Sequence, residues 1–115
     1  DFSCMHLYPI DGAVQRRQKD ETAWHTRDAT WSMVIAAVDP DPAGAGFIKK
    51  WATDYWKAVH PHNLAGAYPK FMMADEGEAR IRASFGDNYP RLASLKQKFD
   101  PQNLFRVNQN IRPAG

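Results

Sequence analysis

The most constraining stretch of this sequence is a helix signal near the C-terminus, bracketed by a turn cluster and a proline. Gly86, Asp87 and Asn88 indicate a turn or helix start, because glycine tolerates any φ angle and Asp and Asn cap helices. The helix must end at Asp100–Pro101, since the residue before a proline is pushed out of the α region. Between these signals, apolar residues at helical spacing predict one core-facing stripe: Leu92, Leu95 and Phe99.

The residues around this helix predict how it is solvated and how the chain leaves it. Three cations are expected on its solvent side: Arg91, Lys96 and Lys98. After the helix, Leu104 and Phe105 are expected to return to the core. Residues 107–111 then form a short, polar-rich extended piece that could line a pocket.

Composition narrows the class of protein. A chain of 115 residues with 43% hydrophobic and 24% charged residues predicts one globular domain over residues 1–115. The net charge is only +2 and the basic residues are scattered, so nucleic-acid binding is not predicted. No apolar run approaches the roughly 18 residues of a membrane span. The single cysteine, Cys4, and the pair His60 and His62 lack the spacing of a metal site. A cytoplasmic location is favoured and secretion stays open.

The remaining pattern predicts an α+β fold, a small antiparallel sheet with helices on one face. Three segments are predicted as strands, at residues 5–14, 31–38 and 64–73. Residues 44–60 are the clearest helix, with one apolar stripe of Ile48, Trp51, Tyr55 and Val59. A shorter helix is predicted toward Phe85, with Glu78 and Arg82 as a favourable i,i+4 pair.

The C-terminal stretch resembles the end of the berberine-bridge-enzyme-like, FAD-linked oxidases, in particular their bacterial branch. The matching residues are Phe85, Gly86, Tyr89, Arg91, Leu92, Lys96, Lys98, Phe99, Asp100, Pro101, Asn103, Phe105, Asn108, Gln109, Asn110 and Ile111. The resemblance implies that residues 1–115 are the berberine-like C-terminal part of the substrate domain. It also implies that the FAD-binding domain is absent from this chain, because no Gly-rich phosphate loop is present.

A second motif extends the resemblance to residues that contact the cofactor or act in catalysis. Family members have Gly-x-Tyr-x-Asn-Tyr/Phe where this chain has residues 66–71. In relatives the first Tyr and the Asn lie against the flavin, and the last aromatic is the candidate catalytic base when it is Tyr. Tyr68 keeps the first position, Lys70 replaces the Asn, and Phe71 occupies the base position without an ionisable group. The catalytic residue is therefore unknown, and the implied cofactor-binding residues are Tyr68, Lys70, Asn108, Gln109 and Asn110.

Three functions follow as expectations. The first is the substrate-side portion of an FAD-dependent oxidoreductase, which passes a hydride from a small-molecule substrate to flavin and then electrons to oxygen or another acceptor. The isolated chain is expected to be inactive and not to retain FAD, which the FAD-binding portion of the same or a companion chain would hold. The alternative is a stand-alone, non-catalytic binding or assembly module. A small enzyme acting through His25 and Asp28 is a weaker third hypothesis.

Self-association is a further expectation. The segment 31–38 is almost wholly apolar and predicts a strand that needs cover. A small sheet with an open edge exposes apolar surface, so a homodimer that pairs sheet edges or faces is predicted.

Overall fold

The computed structural model describes residues 2–64, 66–73, 75–107 and 109–115. These residues form an α+β arrangement of two strands and three α-helices, which confirms the predicted class. The elements are β1 (Cys4–Pro9), β2 (Trp31–Ala36), α1 (Ala45–Val59), α2 (Glu78–Phe85) and α3 (Tyr89–Phe99). One-turn 3₁₀ helices occur at Pro42–Gly44, His60–His62, Pro69–Phe71 and Gly86–Asn88.

The chain divides into two units. The first unit contains the N-terminal residues through Asp11 together with residues 29–64, and the second contains residues 12–28 and 65–115. Residues 12–28 of the connection between β1 and β2 therefore belong to the second unit, while the two strands belong to the first.

The first unit is built on the pairing of β1 with β2. The strands are antiparallel, and their register runs from Cys4 opposite Ala36 to Pro9 opposite Trp31. The hydroxyl of Ser3 accepts from the backbone N–H of Val38 at 3.1 Å, just beyond the strand ends. The predicted third strand at residues 64–73 is wrong for the residues described there. Pro69 has a fixed φ and no N–H to donate to a ladder, and it starts a 3₁₀ turn instead.

Helix α1 follows two Asp-Pro steps and contacts β2. The Asp41 carboxylate caps the preceding turn by accepting from the Ala43 N–H at 2.9 Å. The predicted apolar stripe of α1 is half-buried along its length, which confirms which side of this helix is covered. Phe47, one residue before this stripe, is exposed.

Helix α3 buries a different stripe from the predicted one. Leu92 is half-buried, but Leu95 is 42% exposed and Phe99 is 73% exposed, so the predicted stripe is wrong for Leu95 and Phe99. The covered positions are Tyr89, Leu92, Ala93, Lys96 and Asp100, which also recur at helical spacing. The stripe shifts because Lys96 and Asp100 pair at i,i+4, so two opposite charges share the covered side and compensate each other. Lys96 was predicted to face solvent, and that prediction is wrong as well.

Asn88 fixes the long loop of the second unit from its position just before α3. Its side-chain amide is buried and donates to the carbonyls of Lys19 at 2.6 Å and Thr22 at 3.0 Å, with the Ala23 carbonyl at 3.4 Å. Arg91, one turn further along, donates to the carbonyl of Asp20 at 3.2 Å. Residues 19–23 are therefore attached to the start of α3 by side-chain donors.

Candidate functional site

The segment that carries the Gly-x-Tyr motif lies directly on the backbone of α2. Gly66 has φ +99°, which L-residues rarely adopt. A Cβ at Gly66 would lie 2.9 Å from the carbonyl oxygen of Ala83 and 3.2 Å from the Cα of Ser84. Only glycine allows this approach, so the motif's first position is explained by close packing.

Ser84 holds the same segment from the α2 side. Its side chain is fully buried, at 0% exposure. The hydroxyl accepts from the backbone N–H of Ala67 at 3.0 Å and donates to the carbonyl of Arg80 at 2.8 Å. It also lies 3.4 Å from the sulfur of Met72, one of the few buried apolar side chains. One hydroxyl thus secures both ends of the segment between Ala67 and Met72.

Between those two ends the chain makes a tight turn that presents aromatic rings. The carbonyl of Tyr68 accepts from the Phe71 N–H at 2.9 Å and that of Pro69 accepts from the Met72 N–H at 3.2 Å. The rings of Tyr68 and Phe71 meet edge to face, with centroids 5.4 Å apart and an interplanar angle of 60°. Both rings are exposed, and Lys70 lies exposed at the middle of the turn.

The C-terminal tail reaches the end of this turn through one side chain. The amide nitrogen of Gln109 donates to the carbonyl of Met72 at 2.9 Å. Asn110 is half-buried beside it in the chain, whereas Asn108 lies outside the described residues. The structure therefore brings Gln109 to the segment that carries Tyr68, Lys70 and Phe71.

A second polar centre fixes the start of the tail. The Asp100 carboxylate is buried, contacts the Lys96 ammonium, and accepts from the N–H groups of Leu104 at 2.8 Å and Phe105 at 3.0 Å. The Lys96 ammonium holds the pKa of the Asp100 carboxyl below its ordinary value. The two backbone donors add to this effect, and burial opposes it. Asn103, at φ +52°, completes the turn.

These contacts give several residues of the C-terminal signature a structural role. Lys96, Asp100 and Asn103 set the course of the chain after α3. The expectation that Leu104 and Phe105 return to the core is wrong, because both side chains are exposed. Their backbone N–H groups are held by Asp100 while their side chains stay accessible.

His25 is not paired with Asp28 as the weak third hypothesis required. Asp28 forms an ion pair with Lys19 instead. The His25 ring packs on Gly86, where an added Cβ would lie 2.5 Å from its Cδ2 atom. Its Nε2 atom is 3.9 Å from the carboxylate of Asp87, which is almost fully exposed. The arrangement is that of a packed ring beside a glycine.

The part of the chain that the structure describes contains neither a membrane-spanning helix nor a metal-binding group of side chains. None of its helices combines the length and apolar character needed to cross a membrane. Across residues 2–64, 66–73, 75–107 and 109–115, no three His, Cys, Asp or Glu side chains are grouped so that they could hold a metal ion.

Comparison with known proteins finds a family match for the C-terminal region. Residues 67–112 match the family model described as berberine and berberine like. The similarity to the berberine-like family therefore lies in these 46 residues. The match includes the Tyr68 turn, Ser84, the Asp100 centre and Gln109, so it covers every contact that builds the candidate site except the Gly66 approach.

Similar curated proteins include an FAD-linked oxidoreductase and an oxidase. The chain is 26% identical to an FAD-linked oxidoreductase of Dictyostelium discoideum, over 93% of this chain and 23% of that protein. It is 25% identical to the aclacinomycin-N/aclacinomycin-A oxidase of Streptomyces galilaeus, over 95% of this chain and 23% of that enzyme. It is also 49% identical to berberine bridge enzyme-like 21 of Arabidopsis thaliana, over 32% of this chain and 7% of that protein. The chain thus spans under a quarter of the length of these relatives.

Proposed function

We propose that this chain supplies the C-terminal, substrate-side portion of an FAD-dependent oxidoreductase that acts on a small molecule. FAD, when bound, would supply the acceptor for a hydride from the substrate, and oxygen or another acceptor would then take the electrons. The FAD-binding portion would come from the same chain or from a companion chain. The whole of residues 1–115 would act as one berberine-like domain within that protein.

One observation carries this proposal, the hydrogen bond from the Gln109 amide to the Met72 carbonyl. It joins the two stretches that the family resemblance assigns to the cofactor, although they are 37 residues apart in the sequence. Ser84 secures the same Met72 from the side of α2. A residue pair that distant meets only if the fold places the tail beside the aromatic turn.

The chemistry of the turn fits the flavin ring system better than its phosphates. The exposed, edge-to-face rings of Tyr68 and Phe71 offer apolar and aromatic surface to a planar ligand. Lys70 adds a cation at the middle of the turn, where relatives have an uncharged amide. In this proposal Tyr68, Lys70, Gln109 and Asn110, with Asn108, border the cofactor.

Phe71 excludes one catalytic role for this turn, that of a general base. A phenyl ring has no ionisable group, so the residue at the family's base position cannot take a proton from the substrate. Phe71 can instead exclude water and position the substrate. Any proton abstraction has to be performed by another residue of the complete protein.

The test measures flavin in the natural protein that contains this chain. Tyr68→Ala is expected to weaken FAD binding roughly 2- to 13-fold, the equivalent of the 0.5–1.5 kcal/mol of an aromatic pair. Gln109→Leu, which removes the donor to Met72, is expected to weaken it as well. Met73→Ala is the control, because that side chain is exposed next to Met72 but outside the turn. Equal FAD affinity in all four proteins would contradict the proposal.

The isolated 115-residue chain gives a complementary measurement. We expect no saturable quenching of FAD fluorescence when the cofactor is titrated with this chain alone, because it carries no Gly-rich phosphate loop. Tight, saturable binding would show that the chain holds FAD without help.

The alternative is a non-catalytic binding or assembly module with the same fold, and the pair Lys70 and Phe71 favours it. A protein without redox chemistry can tolerate both changes at the cofactor edge. Absorbance separates the two functions, since a natural protein that is purified without flavin and takes up none would support the module.

A further inference from the structure

Lys70 is a cation in the middle of the aromatic turn. It is exposed and lies between Tyr68, which is 47% exposed, and Phe71, which is 65% exposed. The two rings meet edge to face. Residues 68–71 therefore present apolar, aromatic surface and one positive charge within a single turn of chain.

The backbone that carries Lys70 is fixed on both sides. Pro69 has a restricted φ, and the N–H groups of Phe71 and Met72 donate to the carbonyls of Tyr68 and Pro69 at 2.9 Å and 3.2 Å. Met72 is buried, and its carbonyl accepts from the Gln109 amide at 2.9 Å. The turn is therefore ordered before any ligand arrives, which lowers the entropy lost on binding.

The charge of Lys70 is not used within the part of the chain that the structure describes. No carboxylate in residues 2–64, 66–73, 75–107 and 109–115 forms an ion pair with its ammonium group. Glu76, further along the chain, pairs with Arg80 and accepts from the Met73 N–H at 2.6 Å. A lysine ammonium has three donors and no acceptor, so the group that Lys70 can bind is an anion.

The surroundings of Lys70 indicate where that anion comes from. The oxidised flavin ring is uncharged at neutral pH, and a ribityl chain separates it from the phosphates of FAD. An anion that meets the turn together with planar, apolar surface is therefore supplied by the substrate.

We propose that Lys70 selects a substrate that carries a carboxylate on a planar, apolar body, and that its ammonium binds this carboxylate through charge-assisted hydrogen bonds. This inference rests on the proposed function, in which the turn borders both the flavin ring and the substrate. Lys70 is then a residue that determines substrate specificity.

Calorimetric titration of the natural protein with matched probes tests the inference. The probes are benzoate with benzamide and 2-naphthoate with 2-naphthamide, so the members of each pair differ in charge at a constant ring size. We expect each acid to bind roughly 5- to 10-fold more tightly than its amide, between the effect of an exposed ion pair and that of a buried charged hydrogen bond. The preference should decrease as the KCl concentration is raised.

Three variants assign the preference to one side chain. Lys70→Met should abolish it, and Lys70→Arg, which keeps the charge, should retain it. Lys57→Met removes an equally exposed cation from α1 and should leave the preference unchanged. A preference that survives Lys70→Met, or the absence of any preference for the acids, overturns the inference.

Flavin absorbance and FAD affinity of the same samples separate this inference from the proposed function. A preference that depends on Lys70 in a flavin-containing protein supports both. A flavin-containing protein without that preference overturns the inference and leaves the function standing. If Lys70→Met weakens FAD binding but leaves the preference intact, the ammonium serves the phosphates of FAD and the inference is overturned. A protein that takes up no flavin but prefers the acids through Lys70 overturns the function and leaves a carboxylate site, and one with neither property overturns both.

Discussion

The buried amide of Asn88 allows the attachment of the long loop to be measured. We expect Asn88→Ala to destabilise the loop by about 1–3 kcal/mol, because an amide NH₂ can satisfy two of the three carbonyls and each hydrogen bond contributes about 0.5–1.5 kcal/mol net. The value should lie toward the lower end, since Lys19 and Thr22 are exposed and water can replace the lost donor.

Asn88→Asp provides the sharper comparison because it keeps the shape and exchanges the donor for an oxygen. A carboxylate would face the carbonyl oxygens at residues 19, 22 and 23, so we expect a larger loss than for Asn88→Ala near neutral pH. The same surroundings would raise the pKa of the introduced carboxyl in the folded state. Its penalty should therefore shrink as the pH falls toward about 4, where the protonated group can donate.

Limited trypsin digestion measures the opening of this loop directly, since Arg16, Arg17 and Lys19 are cleavage sites within it. When opening is fast relative to cleavage, 1–3 kcal/mol corresponds to roughly 5- to 150-fold faster cutting at these sites. Arg82→Ala, on α2, is a control that leaves the three carbonyl contacts in place. If Asn88→Asp cuts no faster than Asn88→Ala at neutral pH, the amide nitrogen does not face the carbonyls and the reasoning is refuted.

Four further outcomes follow from the described contacts. Gly66→Ala should cost more in urea unfolding than Gly77→Ala, because both positions have positive φ, with strain of about 1–3 kcal/mol, but only Gly66 also meets the α2 backbone. Asp100 has a lowered folded-state pKa, so its stabilisation is present above the ordinary aspartate pKa of about 4 and is lost as the pH falls through the folded value. Asp100→Asn should flatten that part of the stability–pH curve. Leu95→Ala should change unfolding by under about 1 kcal/mol instead of the ~2–5 kcal/mol of a buried leucine, and a larger loss would return Leu95 to the core. The homodimer stays a prediction, and the exposed side chains on β1 and β2 are the reason for it. Sedimentation of the chain as a clean monomer at high concentration would contradict it.

The elements that sequence predicted correctly are those with local signals. The apolar period of α1 and the stop at Asp100–Pro101 each act within a few residues, and each is confirmed. The Glu78–Arg82 pair is local as well, and the Arg82 guanidinium lowers the pKa of Glu78. Such local features can be predicted from sequence because they do not depend on which distant residues pack against them.

The errors arose where distant or charged groups occupy covered positions. A stripe drawn from apolar residues alone excluded Lys96 and Asp100, although their i,i+4 spacing was a visible signal for a buried pair. Ser84 and Asn88 were not recognised as anchors, because nothing in a lone serine or asparagine names a carbonyl or an amide many residues away. The candidate site was predicted at the level of its two stretches, and their connection through Gln109 and Met72 required the structure.

The attachment of residues 19–23 to Asn88 also has a consequence for the timing of synthesis. Lys19 precedes Asn88 by 69 residues, so at about 5–20 residues per second the ribosome takes roughly 3–14 s to add the anchor after it has made the loop. During that interval the carbonyls at 19, 22 and 23 have only water as a partner, and the basic Arg16–Lys19 segment is open to proteases. Residues 19–23 therefore gain their side-chain anchor only after the start of α3 has been made.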